Sequence, residues 1–163
     1  MKKFIVSSFV VLSLAVVPLA GAQTPGQPAW MSSAVKEMVE KARAATKQVT
    51  IEELKAAIDS KEDIVILDVR NPDEYGVAHI PGALNVPRGL LEFVIWTAVP
   101  DKGKKIYVYC KTGARAALAT KVLNEIGYTN AVAVNTGGLA WVKAGYPVKT
   151  SITDEELVLT PAK

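Results

Sequence analysis

The chain has one cysteine, Cys110, and it sits in the stretch with most scope for chemistry, Tyr109-Cys110-Lys111-Thr112-Gly113-Ala114-Arg115-Ala116. The apolar run Ile106-Tyr107-Val108-Tyr109 before it predicts a buried strand, and Ala116 to Ile126 after it predicts a helix closed by Gly127. Cys110 would then stand where a strand gives way to a helix, at the end of an α/β sheet where ligands bind. The first N–H groups of a helix have no intrahelical acceptor, and the helix dipole favours negative charge beside them. Gly113 permits the tight curvature that aims those groups at the loop centre. Lys111 and Arg115 add positive charge, so a thiol here is expected to be driven toward its thiolate. The loop from Lys111 through Thr112, Gly113, Ala114 and Arg115 to Ala116 thus offers an anion cradle and a cation around one nucleophile. The plainer reading of Cys110 is a small buried hydrophobe.

Other residues are weaker candidates. Arg70 and Arg88 could contact an anion near the loop, although Arg70 could instead pair with Glu74 four residues on, and Arg88 could be a surface charge. Arg115 could touch substrate, cap the helix or pair with a carboxylate. Asp68, at a strand end, suits holding backbone or arginine partners better than moving protons. His79 precedes Ile80-Pro81-Gly82 and reads as part of a turn more than as a base for Cys110. Trp30, Trp96 and Trp141 read as core or interface residues.

Composition narrows the function further. One Cys and one His cannot complete a Cys/His zinc site, and a single Cys forms no internal disulfide or Cys-x-x-Cys pair. A net charge of +3 with no basic run interleaved with aromatics does not indicate nucleic acid. At 163 residues and 50% hydrophobic the chain suits one folded domain.

The elements expected to position Cys110 alternate strand and helix, which predicts α/β architecture around a mainly parallel central sheet flanked by helices. Ser32 or Ser33 starts a helix running to about Lys47, and Thr50 with Glu53 makes a capping box for a second. Ile64-Val65-Ile66-Leu67 predicts a buried strand, Pro72 a short helix, Ala83-Leu84-Asn85 a short strand, and Gly89 to Ala98 a helix stopped by Pro100. Ala131 to Val134 predicts a third buried strand, and Gly137-Gly138 turns the chain into a last helix over Leu139 to Ala144.

Before these elements, Met1-Lys2-Lys3, an apolar stretch from Phe4 to Leu19 and the small residues Ala20-Gly21-Ala22 have the layout of a bacterial secretory signal peptide. The expected organisation is therefore a signal peptide over 1–22, a linker and N-terminal helix over 23–48, a domain over 49–149 and a tail over 150–163 with no assigned role. Export would place the mature protein in the periplasm, where an unpaired thiol is a liability unless it is used.

Over about Val49 to Val148 the sequence resembles the rhodanese (sulfurtransferase) family. Leu67-Asp68-Val69-Arg70 with Glu74 matches the family's first motif, His79-Ile80-Pro81-Gly82-Ala83-Leu84-Asn85-Val86-Pro87 its second, and Cys110 to Arg115 its active loop. The Gly137-Gly138 turn, Trp141 and Gly145-Tyr146-Pro147-Val148 look like its usual ending. Cys110-Lys111-Thr112-Gly113-Ala114-Arg115-Ala116-Ala117-Leu118-Ala119 is similar to the periplasmic polysulfide-sulfur transferases, which also have one such domain, a preceding helix and one cysteine; Gly113 departs from that subgroup, which can have Ala there.

The resemblance implies that Cys110 carries sulfane sulfur as a persulfide, taken from thiosulfate or polysulfide and given to cyanide, a thiol or a partner protein, with no cofactor. It also implies that Arg70, Arg88 and Arg115 bind the anionic donor, and that a homodimer can form. A sulfur carrier serving a membrane reductase is one alternative. A cysteine phosphatase or arsenate reductase is another, disfavoured by the family pattern, since those loops have five residues between Cys and Arg where this one has four. A thiol for intermolecular disulfide bonding is the third.

Overall fold

The computed structural model describes residues 31–152 and 156–159. The expected signal peptide, the linker, Trp30 and the last four residues lie outside the described residues.

The chain runs α1 (Ser33–Ala44), β1 (Gln48–Val49), α2 (Ile51–Asp59), β2 (Ile64–Asp68), α3 (Pro72–Val77), β3 (Leu84–Asn85), a 3-10 turn (Arg88–Leu90), α4 (Leu91–Ala98), β4 (Lys105–Tyr109), α5 (Ala114–Glu125), β5 (Ala131–Val134) and α6 (Gly137–Lys143). Local signals start the helices as their residues require. Ser32 Oγ accepts the Val35 N–H at the head of α1. At α2 the capping box is reciprocal: Glu53 N–H donates to Thr50 Oγ1 at 3.2 Å, and Thr50 N–H donates to Glu53 Oε2 at 2.7 Å. Pro72 opens α3, where its missing N–H costs nothing.

Five strands form one sheet in the order β1-β5-β4-β2-β3, and every pairing is parallel. The expectation of a mainly parallel sheet is met in full. Parallel sheets are covered on both faces, which is why the central strands read as continuous apolar runs. Alternation along β4 sends Ile106, Val108 and then Cys110 into one core with Leu67, Leu91, Ile95 and Leu123. Tyr107 and Tyr109 face the other core with Leu54, Ile66, Val132 and Trp141. α1 and α4 pack against α5, and α2 packs against α6.

Some boundaries differ from the sequence expectation. α1 stops at Ala44, short of Lys47, because Gln48 and Val49 pair with Ala133 and Val134 as a two-residue edge strand. Two residues are too few to display a periodicity. α5 begins at Ala114, two residues before the expected Ala116. Trp141 is 1% exposed and belongs to the core, whereas Trp96 on α4 is 64% exposed. Part of the expected tail returns to the domain: Val148 and Leu157 exchange backbone hydrogen bonds of 2.8 Å each, as do His79 and Lys149.

Leu67 is fully buried on β2, between β4 and β3, so Leu67→Ala removes buried side-chain volume from the core. The variant is expected to lose about 2–5 kcal/mol of stability, measured by denaturant unfolding, with an unchanged m-value.

Candidate active site

The last rung between β2 and β4 aligns Asp68 with Tyr109. Val69 N–H then donates to the Tyr109 carbonyl at 3.0 Å, so Arg70 and Cys110 leave the sheet side by side. Arg88 N–H donates to the Val69 carbonyl at 3.1 Å and anchors the 3-10 turn at the same sheet end. On the other side of β4, β5 ends at Val134 and delivers Asn135. The parallel sheet therefore gathers Arg70, Arg88, Cys110 and Asn135 at its carboxyl end.

Cys110 is 1% exposed, and its Sγ accepts the N–H of Gly113 at 3.2 Å. Because α5 starts at Ala114, the N–H groups of Ala114, Arg115 and Ala116 form its first turn and lack intrahelical acceptors. Gly113, the N-cap, has φ +90°, a conformation that favours glycine. A β-carbon there would stand 2.0 Å from the Asn135 carbonyl oxygen. The loop is thus pressed against the end of β5 in a way only glycine allows without a shift.

A second clamp comes from α6. Gly138 N–H donates to the Cys110 carbonyl at 2.7 Å, and Leu139 N–H donates to the Lys111 carbonyl at 3.1 Å. Gly137 has φ +67°, and a β-carbon on it would lie 2.4 Å from the Cys110 carbonyl oxygen. Sequence reasoning took Gly137-Gly138 as a turn into the last helix. Its further role as the support of the active loop depends on a long-range contact, and the paired glycines were the only local sign of it.

Each of the three arginines singled out in the sequence pairs with a carboxylate. Arg115, for which substrate contact, helix capping and pairing with a carboxylate were all open, makes the pair: its Nη1 and Nη2 each donate to a Glu74 carboxylate oxygen at 2.7 Å. The alternative weighed for Arg70, an i,i+4 pair with Glu74, is corrected. Arg70 Nε donates to both oxygens of buried Asp68 at 2.9 Å, its Nη2 donates to the Ala78 carbonyl at 2.8 Å, and its guanidinium lies over the Tyr109 ring. Turning back to Asp68 lets Arg70 compensate a carboxylate held inside the core, which leaves Glu74 to Arg115. Asp68 has the arginine-holding role expected of it. Arg88, in the 3-10 turn, pairs with Glu92 in the first turn of α4 at 2.8 Å. Lys111 is exposed and makes no ion pair among the described residues.

His79 is occupied structurally, as expected. Its ring stacks on Tyr75 with centroids 3.7 Å apart, and its Nδ1 lies 3.0 Å from the Tyr75 carbonyl. A cavity of about 300 Å³ opens beside the loop, lined by Arg70, Glu74, His79, Tyr109, Lys111 and Leu139. The site also includes Arg43, which sequence reasoning missed: its Nη1 lies 3.4 Å from the Asn135 carbonyl oxygen. It comes from α1, distant in sequence from every recognisable motif.

The buried, N–H-facing thiol in a loop between strand and helix can act as a nucleophile whose charged form and covalent adducts are met by backbone dipoles. A model described as the rhodanese-like domain matches residues 50–144. The thiosulfate sulfurtransferase PspE of Escherichia coli is 42% identical over 73 residues, covering 45% of this chain and 68% of that protein. Among solved structures, a thiosulfate sulfurtransferase from Pseudomonas aeruginosa superposes with TM-score 0.65 at 30% identity, over 78% of this chain and 24% of that one. A Rhodopseudomonas palustris protein of unknown function, described as a possible tyrosine phosphatase, superposes with TM-score 0.64 at 30% identity, over 76% of this chain and all of that one. Some curated relatives are much longer, and the chain spans a quarter of their length.

Two measurements test this geometry. Gly137→Ala is expected to release the loop, seen as faster alkylation of Cys110 by a neutral reagent at unchanged pH; an unchanged rate would deny the α6 clamp. The Arg115 guanidinium, hydrogen-bonded to Glu74, holds that carboxyl at about 2, against 4.5 ordinarily. A carboxyl depressed on folding stabilises fully above its unfolded value and loses that contribution as pH falls through its folded one. The Glu74–Arg115 contribution is therefore complete above pH 4.5 and lost on approach to pH 2, and Glu74→Gln should lack this part of the melting-temperature decline.

Proposed function

Given that the chain belongs to the rhodanese-like domain family, we propose that it is a sulfurtransferase working through a persulfide on Cys110. The observation that carries this reading is the Cys110 sulfur set into its loop with the Gly113 N–H donating to it at 3.2 Å. The thiolate attacks the outer sulfur of thiosulfate or the terminal sulfur of a polysulfide. The S–S bond of the donor breaks, its electron pair leaves with sulfite or the shortened polysulfide, and Cys110 holds the outer sulfur. A nucleophile, cyanide or a thiol, then bonds to that sulfur, and the electron pair of the Cys110 persulfide bond returns to Sγ. Atoms and electrons balance over the two half-reactions, so neither needs an added oxidant or cofactor.

The protein's contribution is electrostatic and geometric. The Gly113 N–H and those of the first turn of α5 meet negative charge on the carried sulfur. Glu74 holds Arg115 at the loop's end, and Lys111 brings an exposed positive charge to its rim. Relatives named as thiosulfate sulfurtransferases support thiosulfate as a donor. The resemblance of the Cys110 to Ala119 stretch supports polysulfide, and the N-terminal pattern supports action outside the cytoplasm.

Intact mass spectrometry after incubation with each donor tests the reading. Wild-type protein should gain sulfur and lose it to cyanide, while Cys110→Ser should gain none and still fold. The better loading donor identifies the preferred one. Loading with slow release to every small acceptor would favour a carrier that passes sulfur to a partner protein. No loading from either donor would overturn the persulfide, and phosphoester hydrolysis would then be assayed.

A further inference from the structure

The three arginines that resemblance offers as anion binders all hold a carboxylate: Arg70 with Asp68, Arg88 with Glu92 and Arg115 with Glu74. Arg43 makes no ion pair among the described residues. It lies in the last turn of α1, outside the matched stretch 50–144. α1 buries Val39 and Ala42 as it packs against α5, the helix that follows the active loop. This contact carries Arg43 to the end of β5, beside Asn135.

There the spacing is close. Arg43 Nη1 is 3.4 Å from the Asn135 carbonyl oxygen, and Nη2 is 3.3 Å from the point where a β-carbon on Gly113 would stand. The Asn135 oxygen is 2.0 Å from that same point. Gly113 in turn presents its N–H to Cys110 Sγ. A carbonyl oxygen so near the cradle brings partial negative charge toward any anion held in it, and the guanidinium offsets that charge. At 3.4 Å the hydrogen bond alone is long, so the charge matters more than the bond. The segment after α1 is fixed to the sheet: Ala133 N–H donates to the Lys47 carbonyl at 2.9 Å, and Asn135 N–H to the Val49 carbonyl at 3.0 Å.

We propose that Arg43 is a positioning residue of the active loop, holding the Asn135 carbonyl against Gly113 and supplying an uncompensated positive charge beside the Cys110 cradle. α1 is then a working part of the site and not only a cover for α5. The inference deepens the sulfurtransferase reading by adding a determinant for anionic donors, and its test does not require sulfur transfer.

The test compares alkylation of Cys110 by anionic iodoacetate and neutral iodoacetamide at one pH, in the full chain. In Arg43→Gln the iodoacetate rate relative to the iodoacetamide rate should fall about fivefold, the size expected for one partly screened unit charge nearby. Arg43→Lys should restore most of that ratio. An unchanged ratio in R43Q, with thermal melting confirming a folded protein, would overturn the proposal. So would equal slowing of both reagents in both variants, because that is a mechanical brace without a charge effect. Sulfur loading of the wild type is scored separately: its failure would remove the sulfurtransferase reading while leaving the Arg43 result to stand or fall by the ratio.

Discussion

The carbonyl of Cys110 must find a donor once β4 ends, and much of the site follows from where it finds one. At Tyr109 the strand ladder closes, with the Val69 N–H as its last partner. The next two carbonyls, of Cys110 and Lys111, accept from the Gly138 and Leu139 N–H groups at the start of α6. A buried carbonyl left unpaired is costly, so α6 has to approach this closely. That approach leaves no room for a β-carbon at Gly137, and it requires a backbone conformation that side chains resist. The loop is in this way held at both ends, by α6 at Cys110 and by α5 at Gly113. The thiol occupies the space between two rigid supports, which is the preorganisation that an electrostatic cradle needs.

Charge is managed with equal economy at this end of the sheet. Asp68 is fully buried, and Arg70 covers it with a paired contact while also reaching the Ala78 carbonyl. Asn85 Nδ2 donates to the carbonyls of both Asp68 and Arg70 and ties β3 to the same corner. These residues belong to two sequence motifs that look catalytic, yet much of their work is to satisfy polar groups where β2 and β3 leave the sheet. Burying a charge commits its neighbours to compensating it. Each arginine–carboxylate pair leaves part of its guanidinium's five N–H donors uncommitted, beside the loop backbone and the exposed Lys111.

How much of this was legible in the sequence depended on the range of the interaction responsible. The strands β2, β4 and β5 were readable because burial on both faces writes a continuous apolar run. The α2 capping box was readable because all its partners lie within one turn. Cys110, Gly113 and the following helix could be placed together for the same reason. By contrast, β1 draws its identity from Ala133 and Val134, and its two residues have no pattern of their own. The i,i+4 spacing left a pairing of Arg70 with Glu74 open, whereas the structure makes α3 offer Glu74 to Arg115, 41 residues away. Arg43 gave no sign at all, since its contact with Asn135 spans 92 residues.

The burial of Cys110 also limits what a lone thiol can meet. Disulfide formation between two protein chains needs the two sulfurs to come within bonding distance with their β-carbons in a narrow range of separations. A cysteine that is 1% exposed cannot meet a second folded copy in the same state without its surroundings opening. The end of a slender inorganic chain has no such shoulders. Burial at this depth thus favours slender reagents over folded chains at the one cysteine.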